Sequence, residues 1–181
     1  MQVTIPEIWY SKIVLEPGVP TCVDCFSYSR GGLHPQPEYF SGIVTNAITN
    51  LNSKSQLGGD ASTIVSLLVN FDEHSRDDYQ KVLSNLYFEI RISDRSFGIV
   101  PLNNCKFSRL DPHPDLPESK SPYLYAIGTQ LQYIFPIPLS KLAWELVRLT
   151  GNYEGKDLNK PVFLTVSLVG YSRLGRDYAF K

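Results

Sequence analysis

Short apolar runs with the pattern of β-strands, set off by polar and turn-forming residues, recur along most of the chain. Ile8 to Leu15 is the first such run, ended by the turn signal Pro17-Gly18. Thr21 to Tyr28 is the second, broken by Gly31-Gly32. Ile64 to Phe71 reads as a buried strand, and Leu83 to Ile92 as another. Ser93-Asp94-Arg95-Ser96 suits a hairpin turn, with the return through Phe97 to Val100 and on toward Phe107. Tyr123 to Phe135 alternates until Pro136-Ile137-Pro138, and Val162 to Val169 is the last strand. Two stretches carry a helical period instead. Phe40, Ile43, Val44, Ala47, Ile48 and Leu51 fall on one helical face. Ser140 suits an N-cap for a second helix through Leu142, Ala143, Leu146, Val147 and Thr150, leaving at Gly151. The polar stretch Asn52 to Asp60 reads as a loop, and Asp72 to Asp78 as an acidic turn or short helical excursion.

The expected fold is therefore α+β, with a largely antiparallel sheet packed with two short amphipathic helices. A single domain is expected over 1–170, with a basic C-terminal tail over 171–181. A chain of 181 residues suffices for one hydrophobic core. No apolar run approaches the ~20 residues that cross a bilayer as a helix. The start of the chain carries no signal-peptide pattern, so membrane contact is expected to be peripheral.

The net charge of −1 hides an asymmetry. Residues 1–80 hold four Lys/Arg against nine Asp/Glu, and residues 81–181 hold thirteen against nine. Arg91, Arg95, Lys106 and Arg109 lie on or around one predicted hairpin, and Arg173, Arg176 and Lys181 form a second group in the tail. Both are candidates for phosphates of lipid or RNA, each basic side chain near an anionic membrane contributing ~1 kcal/mol. The opposing reading pairs Arg91 and Arg95 with Glu89 and Asp94 on the same hairpin. The Pro-rich stretch from Asp111 to Pro122 suits an exposed contact loop, with Pro112, His113, Pro114, Leu116 and Pro117 as oligomer-contact candidates.

Candidate chemistry is sparse. His34, His74 and His113 sit in loop-like sequence, and no nucleophile elbow, P-loop or dinucleotide fingerprint occurs. Cys22 and Cys25 match C-x-x-C, yet in a strand they point to opposite faces and cannot chelate one ion. A site joining either with Cys105 and His113 requires a turn there, and free thiols are the expectation. No catalytic residue, metal or cofactor is expected. Tyr171-Ser172-Arg173-Leu174 and Tyr10-Ser11-Lys12-Ile13 both match the Tyr-x-x-hydrophobic sorting pattern.

The segment Lys12 to Thr21, with Gly31-Gly32 ending the next strand, resembles the first hairpin of bornavirus-type matrix proteins. Asn85-Leu86-Tyr87-Phe88-Glu89-Ile90 resembles a central strand of the same proteins of negative-strand RNA viruses, and Ser140 to Thr150 resembles a later helix. In length the chain is closer to small matrix proteins of some plant rhabdoviruses. It lacks the Pro-Pro-x-Tyr budding motif and the Lys-rich N-terminal arm of animal rhabdovirus matrix proteins. The resemblance implies a non-enzymatic protein that self-associates beneath the envelope, touches anionic lipid and bridges to nucleocapsid or RNA, with no small-molecule substrate. It implies a place in the virion beneath the envelope and in host cytoplasm or nucleus. Two other readings compete. A soluble interaction module predicts a monomer or dimer without lipid affinity. An enzyme predicts a deep pocket where two histidines, or a histidine and a carboxylate, converge.

Overall fold

The computed structural model describes residues 3–18, 20–58, 61–73, 76–107, 130–142, 144–154 and 158–174. Among them are nine strands: β1 (Val3–Leu15), β2 (Thr21–Asp24), β3 (Ala61–Glu73), β4 (Leu86–Ile92), β5 (Arg95–Pro101), β6 (Lys106–Phe107), β7 (Gln130–Leu142), β8 (Val147–Tyr153) and β9 (Val162–Leu174). One α-helix, α1 (Arg76–Asn85), links β3 to β4. Five strands form sheet A in the order β1-β9-β3-β7-β6, and four form sheet B in the order β2-β8-β4-β5. Every pairing is antiparallel.

Once the two-residue β6 is set aside, each connection crosses from one sheet to the other except the β4–β5 hairpin. That is the strand order of a jelly roll. Directly paired residues share a face, so the registers give the inner surface of sheet A. The rows Ile13–Leu164–Phe71 and Trp9–Leu168–Leu67 are buried. They belong to one core cluster with Phe88, Ile90, Val147 and Leu149 of sheet B. Burying a side chain of this size contributes about 1.5–3 kcal/mol.

The antiparallel sheet stands, but neither expected amphipathic helix forms. Over 40–51 the chain is a string of turns and isolated bridges. Gly42 holds φ +85°, a left-handed value in the middle of the expected helix. Thr49 Oγ1 donates to Tyr10 O at 2.7 Å and accepts from Leu51 N at 3.2 Å, so its hydroxyl competes with helical hydrogen bonds. Over 140–151 the buried positions are Lys141, Val147, Leu149 and Gly151, the first on β7 and the rest alternating along β8. Of the expected helical face, Leu142 and Leu146 are exposed and Val147 is buried, and Val147 and Leu149 join the core as alternate residues of a strand.

Pro136 and Pro138 do not end β7. Ile64 pairs with Leu139 and Ser66 with Ile134, so both prolines sit where the ladder is irregular. The other edge of β7 meets β6 only at Leu131 and Gln132, and a missing N–H is tolerated there. Helix takes the first part of the strand expected from Leu83, with Asp77 and Asp78 in its first turn, where the helix dipole favours them. Asp78 is buried and accepts from Asn159 N at 2.8 Å and Asn159 Nδ2 at 3.2 Å. β2 stops at Asp24, short of Tyr28, and β9 runs on through Leu174. Tyr171, Ser172 and Arg173 are therefore strand residues, not the start of a tail.

The free edge of β1 is closed by side-chain amides. Gln36 accepts from Val14 N at 2.9 Å and donates to Val14 O at 2.7 Å, as a paired strand residue would. Asn50 accepts from Tyr10 N at 2.9 Å and donates to Ile8 O, and Lys12 N reaches Ile48 O at 3.0 Å. An edge so occupied offers no ladder to another chain.

Candidate binding surfaces

The basic candidates do not form one patch. Arg91 and Arg95 sit on the β4–β5 hairpin of sheet B, Lys106 on β6 of sheet A, and Arg173 on β9 in the middle of sheet A. Arg109, Arg176 and Lys181 lie outside the described residues, as do Pro112, His113, Pro114, Leu116 and Pro117. The registers instead bring Arg91 directly opposite Arg148, a residue the sequence gives no reason to pair with it. Like charges so placed repel, and each has a carboxylate nearby. Glu89 Oε1 lies 3.9 Å from Arg91 Nε. Burial raises the Asp24 carboxyl above its ordinary value, and the Phe26 N–H and the Arg148 guanidinium draw it back. The outer face of sheet B is thus polar and nearly balanced in charge.

The charge asymmetry between the two halves of the sequence is lost as well. The jelly-roll order interleaves them, so that Arg148 of the second half, for example, stands close enough to Asp24 of the first to act on its carboxyl.

That outer face is the most apolar surface described. Successive rows carry Ile8–Val169–Ser66–Ile134, then Pro6–Tyr171–Thr63–Ser140, then Thr4–Arg173–Ala61–Leu142. Ile8 is 52% exposed, Ile134 67%, Leu142 52% and Tyr171 44%. Arg173 is the one charge in these rows, and no carboxylate stands among them. Trp144, just past β7, is 71% exposed. A solvent-facing sheet surface ordinarily alternates to polar residues, and the exposed Ile8, Ile134 and Leu142 depart from that pattern.

The inner face of the same sheet turns polar at its end. Ser172 and Ser62 stand side by side, with Lys141 the next residue along the row and Glu7 one row inward. Ser172 Oγ donates to Glu7 Oε2 at 2.7 Å, and Ser62 Oγ donates to Gly58 O at 2.7 Å. Lys141 is 2% exposed, and its Nζ reaches Leu57 O at 3.4 Å. Burial lowers its pKa from the ordinary lysine value, with Glu145 opposing. Beside this cluster lies a cleft of about 460 Å³, lined by Glu7, Ile8, Asn52, Ser53, Gln56 and Leu57 among others. A backbone turn at Ser55, φ +56°, shapes one wall. Left-handed backbone at a non-glycine residue costs about 1–2 kcal/mol. Two backbone bonds hold it, Ser55 N to Phe26 O and Val147 N to Ser55 O, both 2.8 Å.

No protein-family model matches the chain, and no curated protein matches it. The surfaces and the cleft therefore carry the functional argument alone.

The histidines and cysteines offer little. His34 is buried against Tyr28 and Phe40, and burial lowers its pKa. Its Nδ1 accepts from Gln36 N at 3.0 Å, so Nε2 carries the proton and donates to Lys12 O at 3.1 Å. Both nitrogens are committed to fixing the loop against β1. His74 and His113 lie outside the described residues. Cys22 is exposed, while Cys25 and Cys105 are buried free thiols, the latter pushed up to about 11 by burial. No His/Cys/Asp/Glu group among the described residues has metal-ligand spacing. Both Tyr-x-x-hydrophobic matches lie in paired strands, β1 and β9, where the backbone is committed to the ladder. No helix among the described residues is long and apolar enough to cross a membrane.

Proposed function

We propose that this chain is a non-enzymatic structural protein of the matrix type, which assembles with copies of itself through the outer face of sheet A. The carrying observation is the run of Ile8, Ile134, Tyr171 and Leu142 on one sheet face, in three rows whose one charge is Arg173. A second copy is the occupant this face suits. A self-complementary contact must tolerate its own image, and a face with one charge in three rows brings few like charges together. Arg173 on the apolar face supports contact with anionic lipid. Contact with a nucleocapsid or RNA rests on Arg91 and Arg148 on the opposite side of the sandwich, where Glu89 and Asp24 offset their charge. Jelly rolls serve in viral capsid domains and in lectins alike, so the architecture by itself assigns neither role.

Sedimentation velocity of the wild type and of the Ile8→Glu/Ile134→Glu variant tests the reading. Oligomers in the wild type and folded monomers in the variant are expected. A wild type that stays monomeric at high micromolar concentration overturns self-assembly and leaves the face to a different protein partner. Flotation with anionic and neutral vesicles at low and high salt tests the membrane part. Binding confined to anionic vesicles and lost at high salt is expected, and no flotation removes peripheral membrane contact from the proposal.

A further inference from the structure

The cleft beside the polar end of sheet A adjoins the apolar face at Ile8 but is lined mostly by the 50–58 segment. Its volume, about 460 Å³, falls within the range of small-ligand sites. Its walls offer two carboxamides, Asn52 and Gln56, the Ser53 hydroxyl and the Glu7 carboxylate, with aliphatic surface from Ile8. Among the described lining residues there is no lysine, arginine or histidine. A phosphate or carboxylate ligand would therefore find no countercharge in the walls.

Several of these groups are held in place by contacts behind the walls. Ser172 fixes Glu7 at 2.7 Å. Asn50 is clamped to β1 through Tyr10 N and Ile8 O. Arg30 stands behind Asn52, bonded to its Oδ1 and to Asn46 Oδ1, which leaves the Asn52 amide hydrogens unused. Among the described residues, the Ser53 hydroxyl and the Gln56 carboxamide bond to nothing in the protein, and both residues are exposed at the turn that Ser55 makes.

We infer that this cleft binds a neutral polyhydroxylated ligand, a glycan. Each sugar hydroxyl both donates and accepts. A carboxamide carries two donors and two lone pairs in one plane, and a carboxylate supplies only acceptors. Adjacent hydroxyls on a ring therefore match Asn52, Gln56 and Glu7, while the C–H face of the ring suits the exposed Ile8. The walls hold amides, a hydroxyl and a carboxylate with no countercharge for an anionic ligand, which separates a glycan from a nucleotide.

Saturation-transfer NMR on the full chain tests the inference, with methyl glycosides of glucose, galactose, mannose and N-acetylglucosamine as probes, and nucleosides and inorganic phosphate for comparison. At least one glycoside is expected to show transfer to its ring protons. Gln56→Leu and Asn52→Leu are each expected to weaken that binding about tenfold or more. Amide spectra of both variants verify that they fold. Absence of transfer to every glycoside overturns the inference. So does transfer only to nucleosides, or glycoside binding unchanged in both folded variants. Asn52 and Gln56 lie outside the rows proposed for self-assembly, so the two readings fail independently.

Discussion

The two ends of the inner face of sheet A are built from the same strands and made differently. At one end Ile13, Leu164 and Phe71 form a buried apolar row. At the other, Ser172, Ser62 and Lys141 occupy equivalent inward positions, with Glu7 one row away. β1 and β9 keep their alternation of faces throughout, and β3 regains its inward face past the irregularity between Ile64 and Ser66. The difference therefore lies in what covers each end. The apolar row shares its cluster with sheet B. The polar row meets the carbonyls of Leu57 and Gly58, which require donors. Period fixes which way a side chain points, and the covering element decides which chemistry is stable there.

Gly170 marks the boundary between the two ends, and changing it is expected to have the largest effect. A Cβ there would lie 2.0 Å from Thr63 O, because β3 kinks toward β9 between Ile64 and Ser66. Gly170→Ala should cost about 4 kcal/mol or more, since the obstacle is backbone and cannot rotate away. A urea midpoint within experimental error of the wild type would show that the boundary is looser than its geometry. In the apolar row, Leu164→Ala should cost about 3 kcal/mol by the same measurement, from lost burial and the cavity left behind.

The polar end should respond more weakly. Ser172→Ala removes the donor to Glu7 Oε2 and to Gly58 O and should cost about 1–2 kcal/mol. Lys141→Met should raise stability by about 1 kcal/mol, because one 3.4 Å bond compensates poorly for a buried ammonium. The pH dependence of that gain carries a sign. The folded-state pKa of Lys141 lies below the ordinary 10.5, so the unfolded chain binds the proton more tightly. The penalty is complete below the folded value and vanishes as pH rises to 10.5. Thermal melts should therefore show the gain of Lys141→Met shrinking as pH rises toward that value, and a constant gain would mean that Lys141 is charged without penalty.

The strands were legible because apolar and β-branched residues crowd Ile8–Leu15, Ile64–Phe71 and Val162–Val169. The helix expected from Phe40 was not decidable by period. Val44 and Leu51 are buried as a helical face requires, yet Ile43 is 67% exposed. The bonds that hold this segment go to β1, roughly forty positions earlier in the chain. In the stretch after Ser140, the burial of Val147 and Leu149 as alternate residues decides for the strand. The polar cluster could not be found in the sequence at all. Ser62, Lys141 and Ser172 are neighbours only through strand pairing, and each alone reads as an unremarkable polar residue. The apolar contact face was hidden similarly, since Ile8, Ile134 and Tyr171 come from three strands spread along the chain.

The amide clamps on β1 also bear on the order in which the molecule can be made. β1 is synthesised first, and its ladder partner β9 comes last, with Val3 opposite Leu174. Until the final strand has left the ribosome, β1 cannot take its place in sheet A, and such long-range closure is slow. Gln36, Ile48 and Asn50 are translated soon after β1 and bond to its other edge. They give the nascent strand an early local partner while it waits, covering one side of an edge that would otherwise face neighbouring chains bare on both.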